Sequence, residues 1–578
     1  MLEYHAPQRD LEFLLFDLFD VQQRWREVPA FAELSEDLVR AVLSEGGRLA
    51  GEVLAPTNQA GDEAGCDWND GEVRTPEGFK DAFAELAGGG WLGLSGNPEY
   101  GGQGMPKLLG CLLEEMFWAA NSSLYLYGTL TVGAAICIDA HGTPEQKALY
   151  LPKLYSGEWT GAMALTEPHA GSDLGIMRTR AEPRADGSYA ITGTKIFITS
   201  GEHDLAANIV HLVLAKLPGA PAGSRGISLF IVPKYLPDAD GAPGTRNGLA
   251  SGSLEHKMGI RGSATSVMNY DGAVGYLVGA ENQGLAAMFT MMNYERLSVG
   301  LQGLGAGELA YQQAVRYARE RLQGRAASGP LNPDGPADPL LVHGDVRRML
   351  LTVRALTEAG RAFAMFVGMQ LDLGRYAGDA DAQALSELLT PVAKSFLTDR
   401  GFECAVLAQQ VFGGHGYVRE WGVEQIVRDV RIAQIYEGTN GIQAMDLIGR
   451  KVLRDGAATL AVLLARIRSE QVPAAYAEPL QRAVDQLEQV TQTLLARSPR
   501  DPELAGAVAA DYLDLVGYTL YAWLWARMAG AAPDDEFGAA KKRCADFYFA
   551  RLLPRAAGLA LSAVADSDCV MGLPAEAF

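Results

Sequence analysis

Apolar residues in this 578-residue chain change period twice. Up to about residue 155 they recur at helical spacing, as in LEFLLFDLFDV and ELSEDLVRAVLSEGGRLAGEVL. From about residue 160 they alternate in β-branched and aromatic runs, as in SYAITGTKIFITSG, ANIVHLVLAKL and GISLFIVPKYL. From Gly284 the helical spacing returns and holds to the end. A single β domain of roughly 120 residues set between helical regions is therefore expected. The ranges read as an N-terminal helical extension (1–75), a helical domain (76–160), the β domain (161–282), a second helical domain (283–450) and an added C-terminal helical domain (451–578). The patch from Pro56 to Thr75 is turn-rich, and the loops 217–226 and 237–252 are rich in Pro and Gly.

Composition narrows the function classes. Hydrophobic residues make up 48%, so the chain can bury large cores without disulfide staples. Its 49 basic residues against 70 acidic give a formal charge of −21, a poor match to nucleic acid or anionic lipid. The six cysteines show no CxxC spacing and the eight histidines are scattered, so reduced thiols in a cytoplasmic protein without a metal site are expected. The N-terminus lacks a signal-peptide pattern. The longest uncharged stretch, Met116 to Ile138, carries Asn, Ser, Thr and Gly, and reads as a helix buried in a bundle rather than a membrane span. The run LVGYTLYAWLWARM (515–528) reads as bundle core.

The glycine cluster GLQGLGAGE (300–308) has Glu308 where a dinucleotide loop needs its last glycine, and no strand precedes it. Three other segments are polar and Gly-rich where a core wants neither. ALTEPHAGSD (164–173) gathers Thr166, Ser172 and backbone N–H groups on a turn that suits a flat heteroaromatic ring or a phosphate, or is an ordinary helix-to-strand loop. KIFITSG (195–201) places Phe197 and Thr199 on one strand face, fit for a ring system or for a plain apolar sheet face. The segment 409–443 carries Gly413, Gly414 and Gly416, then IYEGT, in which Glu437 is either a candidate base or a helix N-terminal acid.

Together, ALTEPHAGSD, KIFITSG and QxxGGHGY…RD…IYEGT, with PEYGGQGMP and NYERLSVGLQGLG, resemble the acyl-CoA dehydrogenase family over residues 75–450. The extensions resemble those of the larger bacterial branch that includes 3-methylthiopropanoyl-CoA dehydrogenase-like enzymes, and the C-terminal one also that of very-long-chain members. The resemblance implies an α+β multidomain fold: an N-terminal helical domain, a middle β-barrel-like domain, a C-terminal four-helix domain and an extra C-terminal helical domain. It implies FAD between the β domain and the C-terminal helices, with its adenosine end reaching a second subunit, and hence a homo-oligomer, here a dimer.

The implied reaction is α,β-desaturation of an acyl-CoA thioester. A carboxylate takes the α-proton, flavin N5 takes the β-hydrogen as hydride, and electrons pass to an electron-transferring flavoprotein. The thioester carbonyl oxygen is held by a flavin ribityl hydroxyl and the backbone N–H of the base, worth roughly 3–4 kcal/mol per donor. Matched to the family motifs, Glu437 is the base, with Glu295 the alternative because some members carry it there, just before Arg296. Thr166 and Thr199 match ring-binding hydroxyls, Phe197 the stacking aromatic, and Ser172 the boundary between flavin and CoA. Arg321, Gln323, Gln410 and Gly414 match the pyrophosphate and adenine region, Thr439 a flavin contact after the base, and Arg296 and Gly438 the substrate side. The sequence departs from the family at Met163 (often Tyr or Phe), at a shortened Arg321-Leu322-Gln323-Gly324 and at Gly441. An acyl-CoA oxidase on the same scaffold and a DNA-associated flavoprotein are the competing expectations. The second needs a basic surface, for which Lys541, Lys542 and Arg543 are the one local candidate in a region of 13 basic and 16 acidic residues.

Overall fold

The computed structural model describes residues 2–578. Along the chain the main elements are α1 (Lys107–Ala120), α2 (Ser122–His141), α3 (Pro144–Tyr155), β1 (Trp159–Ala164), β2 (Arg180–Pro183), β3 (Tyr189–Thr199), β4 (Asn208–Lys216), β5 (Ile227–Pro233), β6 (Leu249–Leu254) and β7 (Thr265–Val278). They continue with α4 (Gly284–Glu320), α5 (Gly344–Asp372), α6 (Ala380–Val411), α7 (Asn440–Met445), α8 (Ala458–Ser469), α9 (Ala474–Arg497), α10 (Leu504–Ala531) and α11 (Glu536–Phe547). The chain forms two compact units. The first comprises residues 48–105 and 120–295, with Leu2; the second comprises 3–47, 106–119 and 296–578.

In the first unit the strands follow a circuit. β7 pairs β3, β3 pairs β2, β2 touches β4 at Arg180–Lys216, β4 pairs β5, and β5 returns to β7. β6 adds to β7, and β1 runs parallel to β4. Two register shifts between β3 and β7, at Ser266/Met268 and Asp271/Ala273, bend the 14-residue β7 far enough to reach both neighbours. β4 is buried on both faces. Ile209 and Val213 enter the barrel core with Ile191, Phe230 and Met268. Val210, Leu212 and Leu214 face a second core that includes Leu130 and Ile138 of α2 and Leu151 and Leu154 of α3. A period of two with both faces covered explains why this strand reads as a continuous apolar run. α2 is long and apolar enough to cross a membrane, yet most of it is buried inside the protein. That agrees with the bundle helix expected from its Ser, Thr and Gly content. The turn-rich patch 56–75 holds more structure than its composition suggests: a helix, Asn58–Ala64, and a two-stranded hairpin, Asp67–Asn69 with Glu72–Arg74.

In the second unit the Gly-rich run of α4 explains itself. A Cβ on Gly300 would sit 2.7 Å from Ala393 O, and one on Gly303 2.7 Å from Leu397 O, both on α6. One on Gly305 would sit 2.7 Å from Glu115 O of α1, and one on Gly307 3.1 Å from Thr357 Oγ1 of α5. Gly401 of α6 answers Gly303, with 2.2 Å left between an added Cβ and Gly303 O. The cluster that failed as a nucleotide loop is a helix-crossing surface, where missing side chains let backbones touch. The 515–528 run is core, as expected: Tyr521, Trp523 and Trp525 of α10 are fully buried.

Arg361 of α5 is 1% exposed and donates to Glu115 of α1 at 2.6 and 2.9 Å, to Glu308 of α4 at 2.7 Å, and to Asp10. Lys541 of α11, wholly buried, donates to Glu358 of α5 at 2.7 Å and pairs with Asp10. The basic triplet therefore forms no surface patch. Lys541 is internal, Lys542 lies 3.5 Å from Asp534, and Arg543 lies 3.7 Å from Asp546.

Candidate active site

In the first unit, the turn after β1 is held by one buried carboxylate. Glu167 accepts from Arg178 N at 2.7 Å, Thr179 N at 3.0 Å, Thr179 Oγ1 at 2.6 Å and Lys195 Nζ at 2.9 Å. Lys195, fully buried at the start of KIFITSG, also donates to Leu165 O at 2.9 Å, and Ile196 N donates to Thr166 O at 2.9 Å. Burial pushes the Glu167 carboxyl up, but the Lys195 ammonium and these donors hold it down at about 2. The pair fastens the Thr166 turn to the strand that carries Phe197 and Thr199. This explains why two distant segments read as one motif.

Beside the register shift of β3, Phe197 takes a left-handed backbone (φ +59°) and turns its ring outward, 60% exposed. Such a conformation costs an aromatic residue about 1–2 kcal/mol, and an exposed ring recovers none of it by burial. The hydroxyls of Thr166, Ser172 and Thr199 make no hydrogen bond among the described residues. An unpacked aromatic face with three unused hydroxyls is the donor set that a flat polar heteroaromatic ring takes. Met163 is partly buried against the α2–α3 core.

Glu295 lies in α4 and is 2% exposed; it accepts from Thr129 Oγ1 of α2 at 3.2 Å. Gly133 leaves room for it, since a Cβ there would sit 2.6 Å from Glu295 Oε1. This is a packed, hydrogen-bonded carboxylate, not a surface acid.

In the second unit, Glu437 sits at φ +58°, followed by Gly438 at φ +80°. Thr439 next caps α7, accepting from Ile442 N at 3.3 Å, so the helix has its own cap and does not need Glu437. Gln443 Nε2 donates to Glu437 O at 2.9 Å, and Tyr436 OH donates to Gln302 Oε1 at 2.5 Å. Burial pushes the Glu437 carboxyl up to about 7, against the pull of the Arg296 and Lys394 cations. The Glu437 N–H makes no hydrogen bond among the described residues. Arg296 is 8% exposed, 3.5 Å from Asp446 Oδ2. A half-buried carboxylate poised near neutrality beside an unused N–H is equipped to take a proton from a carbon next to a carbonyl.

The remaining expected residues lie on the surface of this unit. Gln410 is exposed in the last turn of α6, and Gly414 has open space around it. Arg321 and Gln323 are exposed at the start of the loop after α4. That shortened loop is organised round buried Asp338, which accepts from Ala326 N at 3.0 Å and Asn332 N at 2.9 Å; Gln323 N donates to Asp338 O at 2.9 Å. Sequence reasoning missed Glu167, Lys195, Lys394 and Asn440. Two of these stand inside quoted motifs, and Lys394 is a lone charge in the run TPVAKSFL, which was the available signal. It also missed the stack of Tyr317 on Phe412 (4.2 Å between ring centres) and of His415 on Trp421 (4.3 Å). No group of metal-ligating side chains occurs among the described residues.

Four family models match in series: "Acyl-CoA dehydrogenase, N-terminal domain" over 55–158, "middle domain" over 162–273, "C-terminal domain" over 282–453 and "Acetyl-CoA dehydrogenase C-terminal like" over 456–574. The chain is 45% identical to the 3-methylmercaptopropionyl-CoA dehydrogenase of Ruegeria pomeroyi, covering 96% of each. It is 33% identical to a butyryl-CoA dehydrogenase of Syntrophomonas wolfei, covering 100% of this chain and 99% of the other. Among solved structures, an acyl-CoA dehydrogenase complexed with FAD from Bacillus anthracis aligns with a TM-score of 0.75 at 21% identity, over 95% of this chain and 92% of that one. The butyryl-CoA dehydrogenase of Megasphaera elsdenii aligns with a TM-score of 0.60 at 27% identity, over 72% and 98%.

Proposed function

Because this chain belongs to the acyl-CoA dehydrogenase family, we propose that it desaturates a short acyl-CoA between Cα and Cβ with Glu437 as the base. The chain is an FAD-dependent oxidoreductase acting on acyl-CoA. Bound FAD supplies the two-electron acceptor that breaking the Cβ–H bond requires. Thr166 and Thr199 would hold its ring through hydroxyls that make no other hydrogen bond among the described residues, exposed Phe197 would cover a ring face, and Ser172 would lie toward CoA. Gln410, Gly414, Arg321, Gln323 and Thr439, exposed or with open space around them, would hold its more polar parts.

The observation that carries the assignment is the Glu437 turn. It presents a carboxylate lifted to about 7, which is basic enough to accept a proton at neutral pH and is still ionised there in part. The α-proton moves to Glu437, and the negative charge gathering on the thioester oxygen is met by the Glu437 N–H, a donor worth about 3 kcal/mol. Arg296 and Gly438 face the substrate. Glu295 already has Thr129 as a donor and serves as a second, non-reacting carboxylate.

The reading of the substrate class is supported by the relative that is 45% identical over 96% of the chain: 3-methylmercaptopropionyl-CoA or a linear acyl-CoA of similar length. We propose an electron-transferring flavoprotein as acceptor, a homodimer as the working assembly and the cytoplasm as its place. The test is an anaerobic visible titration of the purified flavoprotein with 3-methylmercaptopropionyl-CoA, butyryl-CoA and longer acyl-CoAs. Bleaching by the first two supports the reading, and an unbleached flavin across the panel overturns it. Rapid re-oxidation of the bleached flavin by air would identify an oxidase instead.

A further inference from the structure

The loop that carries Glu437 is fastened on both sides to one helix. Before it, Gln434 Nε2 donates to Asp399 Oδ1 of α6 at 2.6 Å. After it, Asn440 Nδ2 donates to the same Asp399 Oδ1 at 2.7 Å, to Thr398 Oγ1 at 3.0 Å and to Ser395 O at 3.3 Å. The remaining atom of that amide, Asn440 Oδ1, accepts from Lys394 Nζ at 2.8 Å. This is the one hydrogen bond the Lys394 ammonium makes among the described residues, and the side chain is fully buried. A buried ammonium normally lies against a carboxylate, as Lys195 and Lys541 do in this protein. Lys394 lies against a neutral amide, so its field reaches the carboxylates around it undiminished by a direct ion pair.

The charged groups around the base are few. Glu437 feels Arg296 from α4 and Lys394 from α6. Lys394 feels Glu437, Asp399 of its own helix and Arg296. Arg296 is itself partly offset by Asp446, which also faces Arg450 at 3.6 Å. Of the two cations beside the base, Lys394 alone has no carboxylate partner among the described residues.

We propose that Lys394 is a positioning residue for the reaction: through Asn440 it fixes the left-handed Glu437 turn, and with its charge it keeps the base ionised in the free enzyme. This rests on Glu437 being the base. Burial pulls the ammonium down to about 7, close to the carboxyl it faces. The charge on Lys394 therefore fades as pH rises through neutrality, which lets the base strengthen once it is ionised.

The test uses the FAD-loaded enzyme and the acyl-CoA that bleaches its flavin most rapidly. The pH profile of kcat/KM is measured with an artificial electron acceptor for Lys394→Gln, Lys394→Met and Lys394→Arg. Removing a cation makes the carboxylate harder to ionise, so the acid limb moves up by about one pH unit in the Gln and Met variants. Arg stays charged throughout, so its limb moves down. KM changes by less than about twofold in the Gln variant, which keeps a donor for Asn440, while the Met variant also loses kcat on the plateau. If the neutral variants do not fold, the downward shift of the Arg variant carries the test alone. Limbs that stay in place in folded, flavin-loaded variants overturn the proposal. Glu437→Gln and Glu295→Gln run in parallel. If Glu437→Gln stays active and Glu295→Gln does not, the base assignment itself has failed. If Glu437→Gln is inactive and the limbs do not move, only the role of Lys394 has failed.

Discussion

Each unit of this protein places a carboxylate near a buried lysine, and the two pairs have opposite outcomes. In the first unit Lys195 touches Glu167 at 2.9 Å, and the acid is held at about 2. In the second unit Lys394 touches the Asn440 amide and only influences Glu437 from nearby, and the acid rises to about 7. Burial acts on both. The contact decides: a lysine that donates to a carboxylate makes it a fastener, whereas a lysine one amide away leaves it able to exchange a proton. The backbone follows the same division. Glu167 lies in an ordinary turn closed by reciprocal bonds with Ala170, while Glu437 is in the left-handed region.

The contrast can be broken most sharply at the base. Glu437→Gln should cost about 10³-fold in the rate of flavin bleaching by substrate while FAD stays bound, measured by stopped-flow absorbance. Glu295→Gln should cost far less, and an equal loss in both would erase the distinction between them. Glu167→Gln should leave the chemistry alone but destabilise the protein by about 3 kcal/mol, because Lys195 is then buried without its counter-charge. A thermal melt of the flavoprotein, with release of FAD followed by fluorescence, would read it.

The two acids should also titrate differently. Activity needs ionised Glu437, so kcat/KM should rise with pH and level off above about 7. Glu167 is depressed below its unfolded value of about 4.3, so its stabilisation is complete above that pH and is lost as pH falls toward about 2. Melting temperature should therefore be insensitive to Glu167 across the range in which activity changes most. The smallest effect is expected at Gly438. Alanine there must hold φ +80° with its Cβ 2.9 Å from Gln443 Nε2, costing about 1 kcal/mol and a few-fold in rate, checked by denaturant unfolding alongside kcat.

Much of this was readable in the sequence because it is periodic or local. The change from helical to alternating spacing marked the β domain, and the Thr, Ser and Gly scattered through α2 marked a helix that packs against protein. The cap of α7 by Thr439 is also local, but by its motif Thr439 is expected only as a flavin contact; the structure shows the cap, and it removes the alternative role for Glu437. What escaped depends on contacts between distant segments. Nothing near Lys394 says that it will meet Asn440, and nothing near Lys541 says that it will be buried against Glu358. The glycines of α4 looked like a failed nucleotide loop because spacing alone cannot distinguish a backbone that approaches a phosphate from one that approaches another helix. The Pro56–Thr75 patch hid a helix and a hairpin because two three-residue strands are too short to show alternation.

Asp10 joins Arg361, 351 residues downstream, and Lys541, beyond the midpoint of the last helical domain. On a ribosome the first partner emerges after more than half of the chain has been made and the second only near its end. Until then Asp10 lacks both of the cations that hold it in the folded protein. The first unit is complete in sequence by residue 295, whereas the second joins residues 3–47 to residues 296–578, so its opening segment precedes most of its partners in synthesis.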